Sequence, residues 1–136
     1  MIKNEKQYKI SKKRLAELEE HIASKKSKAS KGSKEEGVIV SLIRMKNDIK
    51  DEIKYYESLK TKGLPLRRKV SVAQLPKLLI EHKIAKGLTQ KEYSKLLGIK
   101  EQQLQRYEAE NYSSVSFARL LEYIEKLKIR INLAVE

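Results

Sequence analysis

The 136-residue chain carries 31 Lys and Arg against 18 Asp and Glu, and its net charge of +13 favours a polyanionic partner such as nucleic acid. Disulfides and thiolate metal sites are excluded because cysteine is absent, and no apolar run approaches the roughly 18 residues that span a membrane. Since no signal-peptide hydrophobic stretch is present either, we expect a soluble cytoplasmic protein that does not bind membranes.

The first 37 residues predict one short helix between two irregular segments. Residues 1–10 have too few apolar side chains to define an element, and we expect them to be extended or disordered. From the N-cap Ser11 to Ser24, apolar residues recur at helical spacing and predict an amphipathic helix. Residues 25–37 are rich in Lys, Ser and Gly, the composition of a solvated linker; a basic arm on nucleic acid is the less favoured alternative.

The longest periodic segment runs from Glu35 to about Lys60. Apolar residues follow spacings of three and four along it, at Val38, Leu42, Met45, Ile49, Tyr56 and Leu59. So narrow a stripe on so long a helix favours pairing with a second copy of the chain, an antiparallel hairpin with the first helix, or an interface for a different protein. The residues expected in a dimer interface here are Leu42, Met45, Ile49 and Tyr56.

Gly63-Leu64-Pro65 is expected to end this helix, because Gly tolerates a left-handed C-cap and Pro cannot continue a helix. We place a domain boundary here, with a dimerisation or partner-binding region at 1–63 and a second domain at 64–136. The triplet Arg67-Arg68-Lys69 then has two equally weighted interpretations, a contact with a phosphate backbone or minor groove and an ordinary solvated linker.

The second half predicts four short helices, which start at Ser71, Thr89, Lys100 and Ser116. Thr89 and Glu92 have the spacing of a capping box, in which the two residues satisfy each other's backbone amides. The side chains expected to face inward are Leu75, Leu78, Leu79, Ile84, Leu88, Tyr93, Leu96, Leu97, Leu104, Tyr107, Phe117, Leu120, Leu121, Ile124 and Leu127.

The last eight residues change to a period of two. Ile129, Ile131, Leu133 and Val135 alternate with other residues, which predicts a β-strand with one apolar face. Because no other strand is evident, we expect this strand to pair with its counterpart in a second chain; a disordered tail is the alternative. Ile129, Ile131 and Leu133 complete the expected dimer interface.

Within Gly87 to Glu110 the apolar spacing breaks at Gly98-Ile99 and restarts, as in two helices joined by a tight turn. The sequences Gly87-Leu88-Thr89-Gln90, Leu97-Gly98-Ile99 and Tyr107-Glu108 resemble the XRE family, the helix-turn-helix domains of phage Cro and repressor type. The whole layout also looks like, more weakly, HigA-type antitoxins of toxin–antitoxin pairs. The implied fold is all-α: a long helical hairpin or coiled-coil-like segment, a lambda-repressor-like domain of four to five helices, and a short C-terminal strand.

The resemblance implies that the helix from Lys100 to Glu110 is a recognition helix on DNA. Gln102, Gln103 and Arg106 are then expected on base edges, since Gln can pair bidentately with adenine and Arg with guanine. Expected phosphate contacts are Gln90, Lys100, Arg67, Arg68 and Lys69. Lys83 stands where the family commonly has Arg, so an ion pair with Glu108 would lack the bidentate fork.

These features predict a dimeric, sequence-specific transcriptional repressor that binds double-stranded DNA. The alternative is an antitoxin whose N-terminal helices neutralise a protein toxin while the helix-turn-helix represses its own gene; general charge-driven nucleic-acid binding is a weaker third option. No enzyme activity, metal or cofactor is expected, because His21 and His82 have no ligand-spaced neighbours and no Gly-rich phosphate loop is present.

Overall fold

The computed structural model describes residues 1–28 and 34–136, and these divide into two units, Met1–Thr61 and Lys62–Glu136. The fold of the described residues is all-α, as the sequence predicts. The α-helices are α1 (Glu5–Lys28), α2 (Lys34–Lys62), α3 (Leu75–Ala85), α4 (Gln90–Leu97), α5 (Glu101–Ala109) and α6 (Phe117–Lys126), with a 3-10 turn at Val72–Gln74 before α3.

The N-terminal unit is a helical hairpin in which the start of α1 lies against the end of α2. The Tyr8 ring stacks on Tyr56 with centroids 4.9 Å apart, and the Tyr56 hydroxyl donates to Glu5 over 3.1 Å. Lys60 also donates to Glu5, and this hydrogen bond lowers the pKa of that carboxyl. The interior of the hairpin contains the buried side chains Leu18, Ile22, Ile39, Ile53, Tyr56 and Leu59.

The expectation that residues 1–10 are irregular is wrong, because α1 begins at Glu5. The N–H of Gln7 donates to the side chain of Asn4, and the N–H of Lys3 donates back to the Gln7 side chain, each over 2.9 Å. This exchange caps the helix as Ser and Glu do in a capping box. Ile2 is buried beside it. In the predicted linker, residues 25–28 and 34–37 are helical, and residues 29–33 lie outside the described range.

In the C-terminal unit, α4 packs on α5 and α6, and the Tyr93 hydroxyl ties α4 to α3 by donating to the Leu79 carbonyl over 3.0 Å. Pro76 lies in the first turn of α3, where its missing N–H removes no helical hydrogen bond. The apolar core of this unit comprises Leu75, Leu79, Ile80, Ile84, Tyr93, Leu97, Leu104, Tyr107, Tyr112, Leu120, Tyr123 and Ile124.

Three side chains predicted to face inward are exposed instead: Leu96 at 50%, Phe117 at 58% and Leu121 at 43%. Tyr112 and Tyr123, which the sequence analysis did not assign to the core, are almost fully buried.

The predicted strand over Ile129–Val135 is not observed. Residues 129–136 have no regular secondary structure, and the described part of the chain contains no other strand. A β-ladder needs a partner strand to satisfy its backbone groups, so the period-two pattern alone does not form one within a single copy.

Candidate nucleic-acid interface

Helix α4 is fixed at both of its ends, and its C-terminal end leads into the turn before α5. The Thr89 hydroxyl accepts from the Glu92 N–H over 3.1 Å, and the Thr89 N–H donates to the Glu92 carboxylate over 3.3 Å, as the predicted capping box requires. Gly98 ends α4 with φ of +71°, a left-handed conformation that Gly adopts without steric cost. Lys126 of α6 donates to the adjacent Leu97 carbonyl over 3.2 Å. The direction in which α5 leaves the turn is therefore set by α4 and α6 together.

The inward face of α5 consists of Leu104, Tyr107 and Glu108, all buried. The Lys83 ammonium of α3 lies 2.7 Å from both carboxylate oxygens of Glu108, with both side chains only 2% exposed. The side chain of Gln90, the first residue of α4, also donates to Glu108 over 2.8 Å. One buried carboxylate thus connects three helices, and a single ammonium group contacts both of its oxygens without the guanidinium fork.

The outward face of α5 is polar and carries one exposed charge of each sign, Glu101 in the first turn and Arg106 in the last. Gln102 and Arg106 are exposed, one helical turn apart. Gln103 is half-buried, and its side-chain amide donates to the Tyr107 hydroxyl over 2.7 Å. Gln105, which the sequence analysis did not single out, is exposed beside Arg106 on the same side of the helix as Gln102. The spacing of three residues from Gln102 is the signal that would have identified it.

The residues expected on phosphates differ in their exposure to solvent and in the contacts that their side chains make within the domain. Lys100 is exposed at the N-cap of α5, whereas Gln90 is half-buried against Glu108. Arg67 and Lys69 are exposed, but the guanidinium of Arg68 pairs with the buried Glu81 carboxylate of α3. Only Arg67 and Lys69 of the triplet are therefore exposed, and Arg68 is engaged with α3. Lys91 and Lys95 on α4 are further exposed cations that the sequence analysis did not assign.

The residues expected in a dimer interface are only partly available for contact. Met45 is 40% exposed, and Leu42 and Ile49 are half-buried. Tyr56 is 4% exposed because Tyr8 of the same chain covers it, so its assignment to an interface between copies is corrected to the interior of the hairpin. In the tail, Ile129 is half-buried, whereas Ile131 and Leu133 are exposed.

His82 lies on α3 next to Tyr93 rather than in a ligand cluster. Because the Tyr93 hydroxyl proton goes to the Leu79 carbonyl, its oxygen can accept a hydrogen bond from Nδ1–H of His82, 3.2 Å away. Burial lowers the pKa of His82, and the nearby charge of Lys86 lowers it further. Across residues 1–28 and 34–136, no group of three or more His, Asp and Glu side chains is arranged to hold a metal ion.

Comparison with known families agrees with this geometry. Residues 79–133, from α3 through the tail, match the family model described as helix-turn-helix. The C-terminal unit therefore carries a helix-turn-helix domain, and the match supports a DNA-binding regulator of XRE type. Neither the curated proteins nor the solved structures gave a match. Within the described residues, no helix has the length and apolar character needed to cross a membrane.

Proposed function

We propose that this chain is a sequence-specific DNA-binding transcriptional regulator that represses as a dimer and inserts α5 into the major groove. The observation that carries the proposal is the division of α5 into two faces. Leu104, Tyr107 and Glu108 anchor one face in the domain, while Gln102 and Arg106 are exposed on the other. An α-helix fits the major groove, where the edges of all four base pairs can be distinguished.

Each exposed group has a defined chemical task in this proposal. Arg106 can donate two hydrogen bonds to guanine, and Gln102 can donate to and accept from adenine. Gln103 can contribute its carbonyl oxygen while its amide remains bonded to Tyr107. Lys100, at the start of α5, is assigned to phosphate because its ammonium is an exposed point charge.

The test compares Arg106→Ala with Arg119→Ala, which removes an exposed arginine from α6. Operators are first selected from a random DNA library with the wild-type protein, and affinities are then measured by fluorescence anisotropy at fixed salt. Loss of a bidentate base contact costs about 1–3 kcal/mol, so Arg106→Ala should weaken specific binding about 5- to 150-fold. Equal affinities for the two variants, or failure to select any operator, would contradict the proposal.

We further propose that the N-terminal hairpin binds the hairpin of a second copy. A hairpin this small buries few apolar residues of its own. Four apolar side chains remain substantially exposed: Val38, Val40 and Met45 of α2 and Ile10 of α1. Placing the partly exposed side of α2 against its counterpart would bury Met45 together with Leu42 and Ile49. Separately, a second copy would offer the apolar tail from residue 129 onward the partner strand that a single copy lacks.

Light scattering after size exclusion tests this assembly. Met45→Glu introduces a charge into the proposed interface and should shift the protein towards monomer. Asn47→Glu adds the same group to an exposed position two residues along α2, which faces a different direction, and should leave the mass unchanged. A wild-type protein that is monomeric at all accessible concentrations would refute the homodimer.

The antitoxin role is the second candidate, and the same exposed apolar side chains of the hairpin favour it. In that case the hairpin would bind a toxin encoded by an adjacent gene. Co-expression decides this: the adjacent product alone should arrest growth, the full chain should restore it, and Met45→Glu should restore it less well than Asn47→Glu. Absence of a toxic neighbour that this chain rescues would eliminate the role.

A further inference from the structure

The basic triplet, defined here as Arg67–Lys69, contains one residue that points back into the domain. The Arg68 guanidinium pairs with Oε2 of Glu81, and the side chain of Glu81 is 0% exposed. Lys77, one turn earlier on α3, lies 3.7 Å from the other carboxylate oxygen. The side chain of Arg68 is 28% exposed, whereas Arg67 and Lys69 on either side are exposed.

A buried carboxylate is costly unless a cation and hydrogen bonds compensate it, and removing one partner of such a pair typically destabilises strongly. Glu81 therefore holds Arg68 more firmly than a surface ion pair would. The backbone agrees with a fixed local shape: Arg67 has φ of +55°, a left-handed conformation that non-Gly residues adopt rarely and only when neighbouring contacts impose it.

We propose that Arg68 is a positioning residue and not a phosphate ligand: its pair with Glu81 ties the basic triplet to α3, so that Arg67 and Lys69 are held in place for a DNA phosphate backbone. The choice of DNA as partner rests on the proposed function. The tethering itself rests only on the burial of Glu81 and its contact with Arg68.

Limited proteolysis of the full chain tests the tether without DNA. Trypsin cleaves after Lys and Arg, so a held triplet should be cut slowly. Glu81→Gln removes the charge that binds Arg68 and should accelerate cleavage within Arg67–Lys69, as followed by mass spectrometry. Glu125→Gln, an exposed carboxylate on α6, is the matched control and should cleave like wild type. Equal cleavage rates in the triplet would overturn the tether.

The fold of Glu81→Gln is checked separately by hydrogen exchange of α5 amides. If this protection is lost, Arg68→Lys replaces it as the test, because it keeps the positive charge but removes the planar fork of the guanidinium. Faster cleavage in the triplet with α5 still protected is then the expected result. Unchanged cleavage in this variant likewise counts against the tether.

DNA affinity gives the second readout, because a tethering role and a phosphate-binding role for Arg68 predict opposite changes in affinity for Glu81→Gln. Glu81→Gln and Glu125→Gln each remove one negative charge and so raise the net charge of the protein by one. If Arg68 were a phosphate ligand, releasing it from Glu81 would tighten binding and steepen the salt dependence. The tether predicts weaker binding than Glu125→Gln and a salt slope smaller by up to about 2, since two phosphate contacts are lost.

Alanine at Arg67 or Lys69 completes the cycle. Each change should lower the salt slope by about 1 in the wild-type background and by much less in Glu81→Gln. Binding by Glu81→Gln as tight as by the control would refute the positioning role. If Glu81→Gln changes cleavage in the triplet but neither the wild type nor any variant binds DNA, the tether stands and the proposed function fails. If the protein binds DNA but cleavage in the triplet does not change, the proposed function stands and the tether fails.

Discussion

Replacing Lys83 by Met should destabilise the C-terminal unit more than removal of any exposed lysine. In the wild type, the Lys83 ammonium lies 2.7 Å from both oxygens of Glu108, and each side chain is 2% exposed. Met has a similar length but no charge, so the carboxylate would stay buried without its ammonium partner. Breaking one partner of a buried pair typically costs about 3–5 kcal/mol.

That cost is large against the roughly 5–15 kcal/mol that stabilises an ordinary domain. Unfolding in urea, followed by hydrogen exchange of peptides from α3 and α5, would measure it in the unit concerned. Lys91→Met removes an exposed lysine from α4 and should change the unfolding free energy by no more than about 0.5 kcal/mol. The double variant Lys83→Met with Glu108→Met should recover most of the loss, because it removes both charges and keeps a similar volume.

Two outcomes would refute this reasoning. The first is a Lys83→Met protein within about 1 kcal/mol of Lys91→Met, which would mean that water or other groups replace the ammonium. The second is a double variant no more stable than Lys83→Met. That result would mean that Lys83 stabilises the domain through the packing of its side chain and not by compensating the charge of the buried carboxylate.

Two further predictions concern the turn and the pH response. Gly98→Ala should destabilise the protein by about 1–2 kcal/mol and weaken DNA binding, because Ala would have to adopt a left-handed φ of +71° with its Cβ 3.3 Å from the Lys126 ammonium. Gly37→Ala lies in open space within α2 and should instead stabilise the protein by about 0.5–1 kcal/mol. Thermal melts of the two variants measure both changes. Because the pKa of His82 is lowered in the folded state, the unfolded chain binds a proton at this histidine first as the pH falls. The free energy of unfolding should therefore decrease below pH of about 6.5. This decrease should be smaller in His82→Asn than in the matched variant His21→Asn.

Local signals in the sequence were sufficient for the part of the chain that forms the candidate site. Thr89 and Glu92 have capping-box spacing, Gly98 marks a chain reversal, and Leu104 and Tyr107 fix which side of α5 is buried; all these features are present in the structure. Each depends on residues within about four positions of one another, so no knowledge of the tertiary packing is needed to recognise them.

The failures are at places where distant residues decide the outcome. Residues 1–10 have too few apolar side chains for helical periodicity to predict a helix, and the contact that stabilises the start of α1, between Tyr8 and Tyr56, spans 48 positions. Helical spacing places Phe117 on the inner face with Leu120 and Ile124, yet Phe117 is 58% exposed, while Tyr112 and Tyr123 are buried in the core. Arg68 was grouped with its basic neighbours because nothing in the triplet itself indicates that Glu81, 13 residues later, is buried against it.

The energetics of recognition favour two copies of the C-terminal unit on one operator. Gln102, Gln105 and Arg106 are exposed side chains on one side of the nine-residue α5 that can donate hydrogen bonds to base edges. At about 1–3 kcal/mol for each good contact, one copy would supply roughly 3–9 kcal/mol of discrimination. Specific binding usually exceeds non-specific binding by about 4–10 kcal/mol, so one copy reaches the lower part of this range but falls short of its upper end even when every contact is at its best. Two copies on a palindromic site double the base contacts, which is why the proposed pairing of the N-terminal hairpins and the DNA-binding role depend on each other.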